Sequence, residues 1–396
     1  MADLRCADLL TLISEQAGDA DRGRSVSPEV IAAVKASALM TMAASVEIGG
    51  SGTGVGEIAR ELAAIAGACG STAWCLWNHL SVFHLYAGAL GPAHAELLAS
   101  IVERHEWVCL PAGAGSRAYG HVDDGGAEVS IEGPTTFGSG CRYGEWTGVV
   151  FAVVEPETGK PADPPDLRFT VVRLDDPGVR IEPTWDGMAL RASATETVHH
   201  HGTRVPLDRC VPWYAANRSD VLRRPDHPVI HARYREDWVG LSDLWLAAQA
   251  TGTARAALED ATAGVVGRRA IMGAAMAEMP MVPMRLGEAS SMLAAADAAV
   301  TIGCAEVDAR ITAGEPPSET DHTRQLALSA QALRLSRDAM DQILTVLGGN
   351  GLRESGTFQR RYRDVMAMPL HINAHPDRVY DRVGRLLLDA APQRRF

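Results

Sequence analysis

The spacing of apolar residues changes twice along the chain, and this change limits the possible folds more than any other feature. Residues 1–110 repeat apolar side chains at helical intervals, whereas residues 111–225 contain short β-branched runs separated by Gly, Pro and Asp. Helical spacing returns in residues 226–396. Helices, then strands, then helices predict an α+β fold with an N-terminal helical domain, a central β domain and a C-terminal helical bundle domain.

Three shorter stretches carry local signals. Ser27 and Pro28 fit the N-cap and first position of a helix. GSTAWCLWNH, residues 70–79, is dense in apolar residues and predicts a buried helix. TWDGMALRASAT, residues 184–195, predicts a strand with a turn.

The composition is that of a soluble globular protein. The 396 residues carry a formal net charge of −12, and no basic tract stands out, so we expect neither nucleic acid nor a membrane as a partner. We find no secretory signal and no run near the ~20 apolar residues of a membrane span. The seven cysteines are scattered without a C-x-x-C pair, which predicts reduced, mostly buried thiols and a cytoplasmic location.

Motifs for dinucleotide and metal binding are incomplete. GGSGTGVGE, residues 49–57, lacks the spacing and the preceding strand of a dinucleotide fingerprint, so we interpret it as a turn between helices. His199 and His201 would share one face of a strand, and His371 and His375 one face of a helix. Neither pair has a third ligand at a suitable spacing, so we predict no metal site.

Four motifs, taken in order, resemble those of the acyl-CoA dehydrogenase superfamily. SVEIGGSGTG resembles an early P-x-x-x-GG turn with Ser45 in place of proline, and CGSTAWCLWNHL resembles a G-S-T-A helix that carries a histidine. WDGMALRASAT…VP is similar to W-x-x-x-GMR-x-T-x-S…VP, although Ala189 and Leu190 replace Gly and Met. LGGNG…FQRRYRD resembles GG-x-G…R-x-x-RD.

The resemblance covers nearly the whole chain. It implies an acyl-CoA dehydrogenase-like fold with an N-terminal helical domain, a central β-barrel domain and a C-terminal four-helix bundle. It also implies a flavin bound between the last two domains and, as is usual in the family, a homotetramer.

One chemistry of the superfamily is dehydrogenation, in which a glutamate removes a proton from an acyl thioester. In the commonest class that glutamate lies eight positions after the RD aspartate, where this chain has Ile372. In a second class it lies on the first long C-terminal helix, where this chain has Ser242 beside Asp243. A carbon acid needs a well-placed base, so an FAD-dependent acyl-CoA dehydrogenase is the alternative, kept open by Asp243.

The second chemistry is that of the two-component (group D) flavin-dependent monooxygenases. These typically have RD, six residues and then His, and here Arg363-Asp364 leads to His371. Their S-G-x-x-x-x-x-W segment is matched by Ser139, Gly140 and Trp146, although Thr135 replaces an aromatic residue common before it.

This resemblance implies an oxygenase that takes reduced FMN or FAD from a separate NAD(P)H-flavin reductase. Through a C4a-hydroperoxyflavin formed with O₂, it would hydroxylate or N-oxidise a small organic substrate of aromatic, polyketide or amino-sugar type. The chain has only two lysines, Lys35 and Lys160, and this arginine bias suggests a GC-rich genome, which is consistent with natural-product biosynthesis or a catabolic pathway. A helical scaffold without enzymatic activity is a third hypothesis, which flavin stoichiometry would separate from both enzymes.

The resemblance also implies roles for individual residues. His371 would be the acid–base residue, because imidazole titrates near neutrality, and His79 is the second catalytic candidate. Trp77 would line a dry substrate site, and Asn373 and His375 would orient either His371 or the substrate. The predicted flavin contacts are Trp74, Pro111, Ala112, Gly113, Gly138, Ser139, Gly140, Cys141, Arg269, Gly348 and Gly349.

Overall fold

The protein is described by a computed structural model that covers residues 4–213, 224, 226–270 and 273–390. Its elements follow the predicted order of helices, strands and helices, which confirms the α+β class. The five N-terminal helices are α1 Leu10–Gly23, α2 Pro28–Lys35, α3 Val55–Ala68, α4 Gly70–Leu90 and α5 Ala95–Glu103.

Helix α4 is the buried helix that the sequence predicts. Nearly every residue from Gly70 to Leu90 is buried, because apolar side chains occur on all sides of the helix. Helix α2 begins as expected, with the Ser27 side chain accepting a hydrogen bond from Val30 N at 3.2 Å. The glycine-rich stretch before α3 is an irregular connection between helical segments, as expected.

The central part is a mixed β-sheet. Its pairings run in the order β6–β7–β3–β2–β4–β5–β8, with β1 beside β4. The pairs β1–β4 and β2–β4 are parallel and the others are antiparallel. The strands are β1 Val108–Cys109, β2 Ala118–Val122, β3 Glu128–Gly138, β4 Trp146–Val153, β5 Leu167–Arg173, β6 Val179–Glu182, β7 Glu196–Pro206 and β8 Val211–Pro212.

The prediction of a strand within residues 184–195 is wrong. This stretch is an irregular loop in which Leu190 and Ala194 have positive φ angles of 49° and 48°. The Glu196 carboxylate accepts hydrogen bonds from Thr184 N and Trp185 N at 2.6 and 2.8 Å. These bonds satisfy backbone donors that a sheet ladder would otherwise pair, so the loop is stable without being a strand.

The described residues of the C-terminal part form five helices. Helix α8 packs along α6 and α7, and α6 also packs along α3. Helix α8 begins with a capping box formed by Ser318 and Asp321. The helices are α6 Trp238–Val265, α7 Met281–Ala313, α8 Glu319–Leu347, α9 Thr357–Ala367 and α10 Pro376–Leu387.

The largest apolar core extends from α1 to α8 and includes residues of β4 and β5, so both helical parts share one interior. Helix α7 has the length and mean hydropathy, 1.2, of a membrane span, contrary to the sequence expectation. It packs on α8, and its Arg310 is ion-paired with Glu236 at 2.9 Å, so we assign it to the bundle. All seven cysteines are buried free thiols, as expected.

Candidate active site

Helix α4 places two tryptophans beside His371. The Trp74 and Trp77 rings lie one turn apart, with centroids separated by 4.6 Å. The His371 ring meets both edge-on, at 5.9 Å from Trp74 and 5.2 Å from Trp77. Three residues that the sequence assigns to one site therefore do lie together.

The turn after α9 holds His371 in this position. A short 3₁₀ helix, Met368–Leu370, follows α9, and His371 N donates to Met368 O at 3.2 Å. Burial, with a smaller contribution from the charge of Arg378, lowers the pKa of His371 to about 4. The ring is therefore neutral at pH 7. Its Nδ1 atom is shielded from solvent and has no hydrogen-bond partner in the described part of the chain.

A chain of hydroxyl groups connects Trp74 to the sheet. Trp74 Nε1 donates to Ser139 Oγ at 2.9 Å, just after β3. Ser139 Oγ lies 2.9 Å from Thr195 Oγ1, which lies 2.6 Å from Ser193 Oγ, just before β7. Because all four side chains are buried, these bonds fix the Trp74 indole against the ends of two strands.

The segment between β3 and β4 turns sharply beside Trp107. Gly140 has a φ angle of +77°, and a Cβ atom there would lie 3.0 Å from Trp107 Nε1. Glycine is therefore required at this position on both conformational and steric grounds. Gly138 packs on Pro111, and buried Cys141 directs its thiol at Ala194 O, 3.5 Å away.

An exposed aromatic pair lies next to this turn. Phe137 is 59% exposed and has a φ angle of +63°, a conformation that side chains rarely adopt. Its ring meets Trp185 edge-on at 6.1 Å. Gly113 N donates to Thr136 O at 2.9 Å, which brings the Pro111–Gly113 turn to the same face.

This face fits the isoalloxazine ring of a flavin. Phe137 and Trp185 offer flat apolar contact, and the Thr136 hydroxyl is buried with no hydrogen-bond partner among the described residues. Ala112 is exposed on the adjacent turn. Seven of the predicted flavin residues lie on or directly behind this face: Pro111, Ala112, Gly113, Gly138, Ser139, Gly140 and Cys141.

Three of the predicted flavin residues, Gly348, Gly349 and Arg269, do not lie on this face. Gly348 and Gly349 are exposed at the end of α8, where a Cβ atom on either would meet nothing within 4 Å. Arg269 is exposed and donates to Gly273 O at 2.7 Å. No described contact joins these three residues to Trp74 or Ser139, so their predicted role is not supported within a single chain.

His79 has a different environment from His371. Val108 N donates to His79 Nδ1 at 3.1 Å, and the other ring nitrogen, Nε2, lies 2.9 Å from Met40 O. Because Nδ1 accepts, Nε2 carries the proton and donates. Burial lowers the pKa of His79 to about 4. With both ring nitrogens bonded to the backbone, His79 connects α4 to β1, and the geometry argues against the predicted catalytic role.

The residues after His371 do not orient its ring. His375 lies at the start of α10, with its Nδ1 3.9 Å from the Asp377 carboxylate. Asn373 is partly exposed in the intervening turn. The preceding RD pair is structural: Asp364 accepts from Leu190 N at 2.6 Å, and Arg363 pairs with Asp21 at 2.8 Å.

Helix α6 adds a buried carboxyl group on the other side of Trp77. Trp77 Nε1 donates to Ser242 O at 2.8 Å, and the next residue is Asp243, which is fully buried. Within the described residues, neither Asp243 oxygen nor Ser242 Oγ has a hydrogen-bond partner. Burial raises the pKa of Asp243 well above its usual value, and Asp237 raises it further.

The histidines of β7, His199, His200 and His201, are not arranged as a metal site. His199 and His201 stack with parallel rings 6.0 Å apart, and His199 Nε2 lies 2.6 Å from the Glu182 carboxylate. Across the described ranges, no group of three His, Cys, Asp or Glu side chains is arranged to hold a metal ion. The Glu182 contact explains the His199 position without one.

Part of the C-terminal region matches a known family. The family model described as "Acyl-CoA dehydrogenase, C-terminal domain" matches residues 244–376. This match confirms the predicted resemblance to the acyl-CoA dehydrogenase superfamily. The matched region includes most of α6, continues through α9 and contains His371. Ser242 and Asp243 lie directly before it.

Two curated relatives that match most of this chain are named as a hydroxylase and as a monooxygenase subunit. A "Pigment production hydroxylase" of Rhodococcus sp. is 27% identical over 96% of this chain and 94% of its own. The "Flavin-dependent monooxygenase, oxygenase subunit HsaA" of Rhodococcus jostii is 26% identical over 81% of this chain and 80% of its own. These relatives confirm the predicted monooxygenase branch.

A solved structure shows the same fold. "XiaF from Streptomyces sp. in complex with FADH2 and Glycerol" superposes with a TM-score of 0.88 at 18% identity, covering 98% of this chain and 95% of that one. This likeness confirms the predicted acyl-CoA dehydrogenase-like fold.

Two features of this site, the aromatic ring of Phe137 and the unpaired carboxyl group of Asp243, were not predicted from the sequence. Phe137 lies two residues before Ser139, and its aromatic side chain was the available signal. The isolation of Asp243 had no signal, because hydrogen-bond partners depend on how α6 packs against α4 and α8.

Proposed function

We propose that the protein is the oxygenase component of a two-component flavin-dependent monooxygenase. It uses reduced flavin and O₂ to hydroxylate a small aromatic substrate. The observation that carries this proposal is the neutral His371 imidazole, held edge-on to Trp74 and Trp77, in a chain that has no glutamate at either dehydrogenase position.

The side chains support this chemistry in distinct ways. His371 is neutral, and its free Nδ1 can hold or accept a proton at the substrate. Trp74 and Trp77 are buried and exclude water, which protects a reactive oxygen species from unproductive decay. Bound reduced flavin supplies the electrons and the position at which O₂ is activated.

The flavin would be held by Phe137, Trp185 and the Pro111–Gly113 turn, with Ser139 fixing the Trp74 indole beside it. XiaF is solved with FADH2, which supports binding of the reduced state here. We propose that a separate NAD(P)H-flavin reductase delivers that flavin, since the HsaA relative is described as an oxygenase subunit. We also propose that the protein is cytoplasmic and that it assembles as a homotetramer.

Dehydrogenation of an acyl thioester is less well supported. It requires an anionic base, and burial raises the pKa of the Asp243 carboxyl group well above its usual value, which disfavours its anionic form. Ile372, at the usual base position, is exposed and apolar. Asp243 therefore serves this reaction poorly as a base.

Flavin binding and reduction separate the hypotheses. Ultrafiltration under anaerobic conditions would measure binding of FMN and FAD in both redox states. We expect tighter binding of a reduced flavin, and reaction with O₂ that converts resorcinol or a related phenol to a hydroxylated product. An oxidised FAD that is bleached by an acyl-CoA would establish the dehydrogenase instead. Absence of binding in either redox state would establish a scaffold.

A further inference from the structure

Trp77 and three residues beside it form a polar cluster at the meeting point of α4, α6 and the turn after α9. We call Trp77, Ser242, Asp243 and His371 the Trp77 cluster. Trp77 joins its two sides: the indole Nε1 donates to Ser242 O at 2.8 Å, and the ring meets His371 at 5.2 Å. No catalytic step proposed above uses Asp243 or Ser242.

Asp243 is the most unusual member of the cluster. Its residue exposure is 0%, yet neither carboxyl oxygen has a hydrogen-bond partner among the described residues. Buried polar groups in folded proteins are almost always hydrogen-bonded, and an exception indicates a missing water or ligand. Removing a carboxyl group from water without giving it partners is energetically unfavourable.

Two other polar atoms of the cluster also lack hydrogen-bond partners among the described residues. His371 Nδ1 and Ser242 Oγ are both shielded from solvent, and no described side chain or backbone group bonds to them. Asn78, next to Trp77 on α4, has a buried Oδ1 in the same condition. Several unpaired atoms on three packed elements indicate one polar ligand rather than separate defects.

Arg378 links the two ends of the cluster electrostatically. Its charge lowers the pKa of both the Asp243 carboxyl group and the His371 imidazole, so it lies within reach of both. On the opposite side α8 approaches α6 closely: a Cβ atom on Gly240, one turn before Asp243, would lie 2.8 Å from Gln325 Oε1. Helix α8 is therefore packed closely against α6 next to Asp243.

We propose that Asp243 is a substrate-binding residue that, together with His371, hydrogen-bonds the hydroxyl group of a neutral phenolic substrate. This inference rests on the proposed function and identifies the polar end of its substrate site. A phenol hydroxyl donates one hydrogen bond and accepts another, so it satisfies both a carboxyl oxygen and an imidazole nitrogen. The edges of Trp74 and Trp77 suit the flat ring that carries the hydroxyl.

The same arrangement disfavours charged ligands. A substrate carboxylate would bring a second acid group beside Asp243 in a site without water. A substrate ammonium would require Asp243 to be anionic, a form that burial disfavours because it raises the pKa of this carboxyl group. These classes serve as the contrasting ligands of the test.

The test measures binding by calorimetry in the absence of flavin, on the full chain. The probes are resorcinol, its dimethyl ether, benzoate and benzylammonium. Asp243→Leu keeps the approximate volume and removes both hydrogen-bonding oxygens, whereas Asp243→Asn keeps a donor and an acceptor. His199→Asn, on the exposed β7 face, is the matched control.

We expect resorcinol to bind wild type and the control equally, and Asp243→Leu about 10- to 100-fold more weakly, the usual effect of deleting a buried hydrogen-bond partner. Asp243→Asn should retain affinity within about threefold. Equal affinity of Asp243→Leu and wild type for resorcinol would overturn the inference. So would tighter binding of the dimethyl ether or of benzylammonium than of resorcinol, or failure of wild type to bind any phenol.

A second readout separates this inference from the proposed function. Hydroxylation of resorcinol by wild type with reduced flavin and O₂ is measured in parallel. Binding that depends on Asp243 without hydroxylation would refute the monooxygenase and retain the binding residue. Hydroxylation with wild-type affinity in Asp243→Leu would refute the binding residue and retain the monooxygenase.

Discussion

His79 and His371 are both buried imidazoles beside a tryptophan, and burial lowers the pKa of each to about 4. They differ in their hydrogen bonds. Both ring nitrogens of His79 bond to the backbone at Met40 and Val108, whereas His371 Nδ1 has no partner in the described chain. The comparison shows that burial and pKa alone do not identify a catalytic histidine, because an available nitrogen is also needed.

The largest expected effect is on turnover. His371→Ala removes a positioned acid–base group, and such groups contribute about 10²–10⁴-fold. We expect kcat for phenol hydroxylation to fall by that factor while the affinity for reduced flavin changes less than about threefold. Steady-state kinetics with a reductase and equilibrium flavin binding measure both. His199→Asn provides the control, and an unchanged kcat in His371→Ala would remove the catalytic assignment.

The converse effect is on stability. His79→Ala removes two backbone hydrogen bonds and leaves Val108 N and Met40 O unpaired, which we expect to cost about 2–4 kcal/mol of unfolding free energy. His371→Ala should cost less, because no ring hydrogen bond is lost. Urea denaturation of the two variants tests this order, and a larger loss in His371→Ala than in His79→Ala would reverse the comparison.

The pH dependence of stability should be alike at the two sites. Each histidine binds a proton in the unfolded chain below about pH 6.5 but resists protonation in the folded chain until about pH 4. Stability is therefore lost as pH falls through this window, by up to about 1.4 kcal/mol per pH unit for each histidine. Replacing either one should flatten the curve of unfolding free energy between pH 4 and 6.5. A curve left unchanged by both substitutions would show that neither pKa is depressed.

The smallest expected effect is at the hydroxyl chain behind Trp74. Ser139→Ala leaves Trp74 Nε1 without its acceptor and should lower stability by about 1–2 kcal/mol. Tryptophan emission and urea denaturation measure the change. Thr170→Val provides a control, since Thr170 is a buried strand residue distant in sequence from the Trp74 contact. Equal effects of the two substitutions would show that the hydrogen bond to Trp74 is not what matters at Ser139.

Much of the fold was predictable because it follows from local periodicity. The buried helix α4, the N-cap at Ser27 and most strands of the sheet were read directly from the spacing of apolar residues. The loop at 184–195 was mistaken for a strand. Its backbone donors are satisfied by the Glu196 side chain rather than by a neighbouring strand, and a side-chain contact leaves no periodic signal in the sequence. Helix α7 was not expected to resemble a membrane span, because charged residues such as Arg285, Asp297 and Glu306 interrupt its apolar run.

The site was predictable only in part. Trp74, Trp77 and His371 were correctly placed together by their resemblance to family motifs. His79 was assigned the same role because it lies on the same helix, but its ring nitrogens meet backbone atoms of residues 40 and 108. Asp243 was noticed only as a neighbour of Ser242, because its lack of partners depends on packing among helices far apart in sequence.

The most direct test of the central claim is a single turnover at equal flavin occupancy. Wild type, His371→Ala and His79→Ala, each loaded with reduced flavin and a phenol, are mixed with O₂, and the rate of product formation is measured. The account predicts a rate reduced by about 10²–10⁴-fold in His371→Ala and close to wild type in the folded fraction of His79→Ala. A wild-type rate in His371→Ala, with the loss appearing in folded His79→Ala instead, would contradict it.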